Sequence, residues 1–168
     1  MIRSFKGVTP TIAPSAYVNE IAYVVGDVHI GEGSSVWPGT VVRGDVGPIR
    51  IGKNVNIQDN SVVHVDNELD IGDGVTIGHC CVVHCRKIGN YVLIGNNATV
   101  LEDVEIGEYS VIGANAVVRA GMKIPPHSVV MGVPAEIKGT VNEAQRQMIE
   151  RVWRNYAARA QAYKAEGM

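Results

Sequence analysis

The sequence predicts an all-β solenoid of parallel strands with one α-helix at its C-terminal end. Three observations lead there. Isoleucine or valine recurs at every sixth position, first as Ile12, Val18, Val24, Ile30, Val36 and Val42 and later as Ile88, Ile94, Val100, Ile106, Ile112, Val118, Ile124 and Val130. A period of six fits neither an amphipathic helix at 3.6 nor a lone strand at 2, so it marks a repeating structural unit. A glycine often follows the apolar residue (Gly31, Gly52, Gly72, Gly89), and a small or β-branched residue often sits four positions after it (Thr40, Ser61, Ala98, Ala116). Past Thr140 the period of six gives way to helical spacing.

Each hexad reads as a short strand plus a turn, with two positions pointing inward and a glycine that permits tight backbone. Strands this short cannot bury a face alone. They must stack on copies of themselves about 4.8 Å apart, with stiff Ile and Val side chains filling the interior ladders. From Ile12 to Val42 the count is regular. It then slips three times: nine residues separate Val42 from Ile51, eight separate Val63 from Ile71, and five separate Val83 from Ile88. The residue after each slip point is Arg43, His64 or His84. A repeat broken beside one cation and two metal-capable side chains marks the functional region. From Ile88 the count is regular again, and it stops at residues 132–134. Thr140 and Glu143 then have capping-box spacing, and Ile149, Val152, Trp153, Tyr156, Ala160 and Tyr163 fall on one helical stripe. About 24 residues at ~1.5 Å each give roughly 35 Å, the height of six to seven coils, so the helix can lie along the solenoid. Residues 1–135 are thus expected to form the solenoid and 136–168 the helix, as one structural unit.

Composition narrows the partners. With 168 residues and a formal charge of −2 the chain has no basic face for nucleic acid or anionic lipid. No apolar run approaches the ~20 residues that span a bilayer, and the N-terminal segment lacks the apolar stretch of a signal peptide, so a cytoplasmic protein is expected. Cys80, Cys81 and Cys85 are an odd number crowded together, a poor disulfide framework that suits a reducing compartment. Cys81 falls at an inward phase and is expected in the core. His29 and His127 fall at outward phases of regular hexads and are expected to be solvated or hydrogen-bonded.

Phase counting also groups the remaining polar residues. Arg43, His64 and His84 share one phase, each directly after an inward residue. Asp59 and His79 share another, each two positions after its apolar residue, Ile57 or Ile77.

The hexads resemble those of the left-handed β-helix proteins. That resemblance implies three hexads per triangular coil, a left-handed coil and a trimer of chains. With three hexads per coil, Arg43, His64 and His84 lie one coil apart in one vertical ladder, and Asp59 and His79 form a second on another part of the coil. Two imidazoles on adjacent coils can then converge on one ion at about 2.1 Å each, whereas His79 lies on a different side of the turn. At Arg43-Gly44-Asp45, Gln58-Asp59-Asn60, His64, Gly78-His79 and His84 the chain resembles more narrowly the γ-class carbonic anhydrases, over nearly its whole length. The family implies a homotrimer with inter-subunit metal sites: zinc, alternatively iron or cobalt, held by His64 and His84 of one chain and His79 of the next. It also implies that Arg43 pairs with Asp59 across the boundary and that Gln58 holds solvent near a small-molecule substrate. Three histidines leave an open coordination position, and zinc there lowers the pKa of water to about 7, giving a hydroxide that attacks carbon dioxide. Asp45 and Asp59 would steady the ligands. One departure stands out: Asn67 occupies the place of the glutamate proposed as proton shuttle, and an amide carries no proton, which leaves Asp66 and Glu68 as the candidates to substitute for it. Two other readings stay open, a hydrolase or acyltransferase acting on a CoA thioester and a metal-stabilised trimeric scaffold without turnover.

Overall fold

The computed structural model describes all residues from Met1 to Met168. It is a left-handed parallel β-helix of about 7 turns with one C-terminal helix. The hexad residues become three vertical ladders, one for each face of the prism. On the first face Val24, Val42, Val63, Val83, Val100 and Val118 lie one above another. The second face stacks Ile12, Ile30, Ile51, Ile71, Ile88, Ile106 and Ile124. The third stacks Val18, Val36, Ile57, Ile77, Ile94, Ile112 and Val130. Most of these side chains belong to one continuous buried cluster. The period of six is therefore the length of one prism edge, and burial of aliphatic area at about 25 cal/mol per Å² drives the stacking.

Coil spacing explains the glycine that follows many inward residues. A Cβ on Gly95 would lie 2.6 Å from the backbone nitrogen of Ala114 in the coil above. All three slips fall at one corner, between the first and second faces. There the long strands Tyr23–Ile30 and Val41–Ile51 carry the chain round from one face to the next, which merges both faces into one twelve-stranded sheet. The extra residues form a bulge at 45–48 and a loop at 65–68. They pack directly on each other: a Cβ on Gly47 would sit 1.6 Å from the carbonyl oxygen of Asn67.

The C-terminal segment departs from the sequence expectation. Strand Ala135–Thr140 pairs antiparallel with Ser128–Gly132, so Thr140 ends a strand and caps nothing. Helix α1 runs from Glu143 to Ala165 with Asn142 as its cap: the Asn142 side chain accepts from the Gln145 backbone N–H, and the Gln145 side chain accepts from the Asn142 N–H. The helix lies against strands of the third face. Ile149 and Ala160 are buried there, and Tyr156 and Tyr163 pack on Tyr17 and Trp37. His127, expected to be solvated or hydrogen-bonded, stacks on Tyr109 with centroids 5.7 Å apart. No helix is long and apolar enough to cross a membrane.

Candidate metal centre

The corner that takes up the slips also gathers the polar residues singled out above. His64 lies between the inward-facing Val63 and Val65, and His84 between Val83 and Cys85, all four of which are buried. Alternation along an extended chain therefore drives both imidazoles outward on neighbouring coils. Arg43 is the register partner of His64, so the three residues stack in one column.

Within the column the ring nitrogens sort into two kinds. His64 Nδ1 and His84 Nε2 face each other at 3.0 Å. The opposite nitrogens face carboxylates: His64 Nε2 is 3.3 Å from Asp45 Oδ1, and His84 Nδ1 is 3.5 Å from Glu102 Oε1. These approaches fall short of hydrogen-bond geometry, for His64 Nε2, His84 Nδ1 and Asp45 Oδ1 are buried with no hydrogen-bond partner. Asp45 is steadied by its other oxygen, 2.7 Å from Arg43 Nη1.

Burial, reinforced by the Arg43 and His84 charges, holds the His64 pKa below its ordinary value against the opposing pull of Asp45 and Asp66. A neutral His64 carries one N–H and one bare nitrogen. With its proton on Nε2, toward Asp45, Nδ1 presents a lone pair to the facing His84 Nε2. A cation between the two facing nitrogens would let each outer nitrogen keep a proton toward its carboxylate, so the residues present fit a metal ion. Imidazole donors suit zinc, iron and cobalt alike.

Asp66, on the 65–68 loop, brings a carboxylate oxygen within 4.8 Å of both histidine donor atoms. A cavity of about 170 Å³ opens beside His84, lined among others by Asn67, Glu68, Glu102 and Asp103. Glu102 is a neighbour of the metal ligands that the sequence analysis does not name. Counting through the short slip would have found Glu102: Val83 registers with Val100, which sets Leu101 above His84 and Glu102 just beyond it.

His79 stands apart. It lies at the corner between the third and first faces, where His79 Nδ1 is 2.9 Å from Asp59 Oδ2, and it is outside the cluster of His64 and His84. Asp59 therefore meets His79, and Arg43 meets Asp45, within the single chain. Gln58 is buried, and its Nε2 donates to Asn56 Oδ1, which is itself oriented by Asn56 Nδ2 donating to Thr76 Oγ1.

Residues 87–120 match a family model described as bacterial transferase hexapeptide (six repeats). A carbonic anhydrase of Geobacillus kaustophilus is 47% identical over 167 residues, spanning 98% of this chain and 92% of that protein. The mitochondrial gamma carbonic anhydrase 1 of Arabidopsis thaliana is 39% identical over 165 residues, of which the match spans 94% of this chain but 60% of the longer relative. Among solved structures, a putative acetyltransferase from Bacillus cereus superposes with a TM-score of 0.93 at 38% identity, covering 98% of this chain and 96% of that one. Identity of this extent over nearly the whole chain places the chain in the γ-carbonic-anhydrase-like family of hexapeptide-repeat β-helix proteins.

Proposed function

We propose that the protein is a metal-dependent carbonic anhydrase that interconverts carbon dioxide and bicarbonate at sites shared between chains of a homotrimer. The observation that carries this reading is the pair of histidine nitrogens facing each other at 3.0 Å with a carboxylate behind each ring. His64 and His84 of one chain and His79 of its neighbour would hold the ion, with zinc, iron and cobalt as the candidates. Such an ion, with three neutral imidazoles and an open position, supplies hydroxide near neutral pH.

The chain's own residues do the rest. Asp59 meets His79 at Nδ1, which leaves Nε2 as the nitrogen to serve as a donor in another chain's site. Gln58 commits its Nε2 to Asn56 and keeps Oε1 as an acceptor for a solvent or substrate hydroxyl. Arg43 is 42% exposed and has guanidinium nitrogens beyond the one that holds Asp45, enough to reach a carboxylate across a boundary.

Assembly has its own support. The outward positions of the first face stack Val41, Val62 and Val82, and Val62 and Val82 are 37% and 42% exposed. Helix α1 covers the third face and leaves this apolar stripe bare. A stripe ending beside His64 and His84 suits packing against another chain that brings His79.

The second reading, CoA-thioester or acyl-group chemistry, is favoured by the Bacillus cereus structure described as a putative acetyltransferase and by a groove of about 670 Å³ along the second face. Stopped-flow hydration of carbon dioxide by protein purified without air and loaded with zinc, iron or cobalt separates the two. Turnover that is lost in His64→Ala together with the metal supports the proposal. Full metal occupancy with no hydration in any metal form sinks it, and retention of CoA on the metal-free protein would then favour the second reading.

A further inference from the structure

We propose that Glu102 is a positioning residue for His84, holding its ring so that Nε2 faces the metal site. The inference rests on the metal reading of His64 and His84 and adds a residue to it. His84 Nε2 points at His64 Nδ1, so the proton of the metal-ligating imidazole belongs on Nδ1. That atom is buried and without a hydrogen-bond partner, and the carboxylate beside it is Glu102, at 3.5 Å.

The other two histidines repeat the arrangement. His64 has Asp45 behind its outer nitrogen at 3.3 Å, and His79 has Asp59 at 2.9 Å. With Glu102 each proposed ligand has a carboxylate from its own chain. A carboxylate in this position fixes the tautomer and the ring orientation and makes the ligating nitrogen more basic.

Glu102 is also placed for the task. Its carbonyl accepts from the Gly121 N–H in the coil above, and Asp103 next to it turns the corner with φ 56°. Among the acids around the cavity, Glu68 is engaged by Arg86 at 3.2 Å, whereas the ionic contact of Glu102 is with His84. The Glu102 side chain is half exposed, which sets its effect at the lower end of what such partners contribute.

The test compares wild type with Glu102→Ala, Glu102→Gln and Glu68→Gln, each first checked by thermal melting. Zinc dissociation constants come from competition with a chromogenic chelator. The His84 Nδ1–H signal is followed by ¹⁵N-edited NMR of the zinc-loaded protein. Glu102→Ala should weaken zinc binding about tenfold and bring the Nδ1–H into rapid exchange with water. Glu102→Gln, which keeps an acceptor oxygen, should fall between. Glu68→Gln removes the same charge from the same cavity and should bind zinc as wild type does. Equal losses in Glu102→Gln and Glu68→Gln would reduce the effect to general charge and overturn the assignment, as would an Nδ1–H that is equally protected in Glu102→Ala. Wild-type protein that binds no zinc would instead overturn the metal reading itself and take this inference with it.

Discussion

At the residue scale, Asn67 would set the rate of the proposed reaction, and two buried thiols report the packing. Hydrating carbon dioxide releases one proton per turnover, and efficient release needs a titrating group beside the site. Asn67 lines the cavity next to His84 and cannot titrate, and the acids around it are carboxylates, a class too acidic to relay a proton efficiently near neutral pH. Proton exit should therefore limit kcat: the rate should rise with the concentration of an imidazole buffer, kcat more than kcat/KM, and Asn67→Glu should be faster at low buffer. A kcat already high and indifferent to buffer would show that another group in the cavity carries the proton. The cysteines test the interior. Burial pushes the Cys81 thiol up to about 11 and the Cys85 thiol up to about 12, and both side chains are 1% exposed. At pH 8 neither is a thiolate, so a disulfide reagent should leave both intact in the native protein and titrate all three cysteines after denaturation. Rapid native reaction at Cys85 would mean that the slip corner opens.

At the element scale, the helix start separates two nearby residues with equally plausible capping chemistry. Thr140 with Glu143 and Asn142 with Gln145 both have capping-box spacing. The structure decides for Asn142, since Thr140 is held in a strand opposite Ser128. Asn142→Ala should therefore cost about 1 kcal/mol, since its side chain satisfies an N–H of the first helical turn. For a chain of this size that lowers the melting temperature by about 2–4 °C. Thr140→Ala should change the melting temperature less, and the reverse order in calorimetry would refute the capping assignment.

At the scale of the whole molecule, the proposal makes assembly and site inseparable. Val82→Asp puts a charge on the bare apolar stripe while leaving the inward ladder alone. Sedimentation should then show monomers with an unchanged circular dichroism spectrum, and metal content should fall because His79 no longer arrives from a neighbour. Full metal occupancy in such a folded monomer would show that one chain suffices, with Asp66 the nearest candidate for a third donor. Arg43 discriminates by magnitude. As a half-exposed pair with Asp45 alone it contributes about 0.2–1 kcal/mol. If it is desolvated across a boundary, its removal costs about 3–5 kcal/mol, because the partner charge stays buried and unpaired. Arg43→Ala should thus dissociate the trimer at micromolar concentration, and an unchanged trimer with unchanged melting would leave only the local pair.

The sequence by itself determined the solenoid, because a hexad period can be satisfied only by stacking, and the inward Ile and Val ladders follow from counting. It also determined which residues share a phase: Arg43, His64 and His84 each follow an inward position, and strand alternation then turns all three outward. What only the tertiary structure decided is what meets those residues. The three slips change the register at a single corner, so the neighbours of His84 come from a loop at 65–68 and from Glu102 on the coil above. Their distances depend on how the bulge and the loop pack, Gly47 against Asn67, and no spacing rule carries that. The C-terminal hairpin was illegible for a related reason. Residues 135–140 lack the hexad and form a strand only because Ser128–Gly132 leaves an unpaired edge for them, a pairing set by the shape of the last coil.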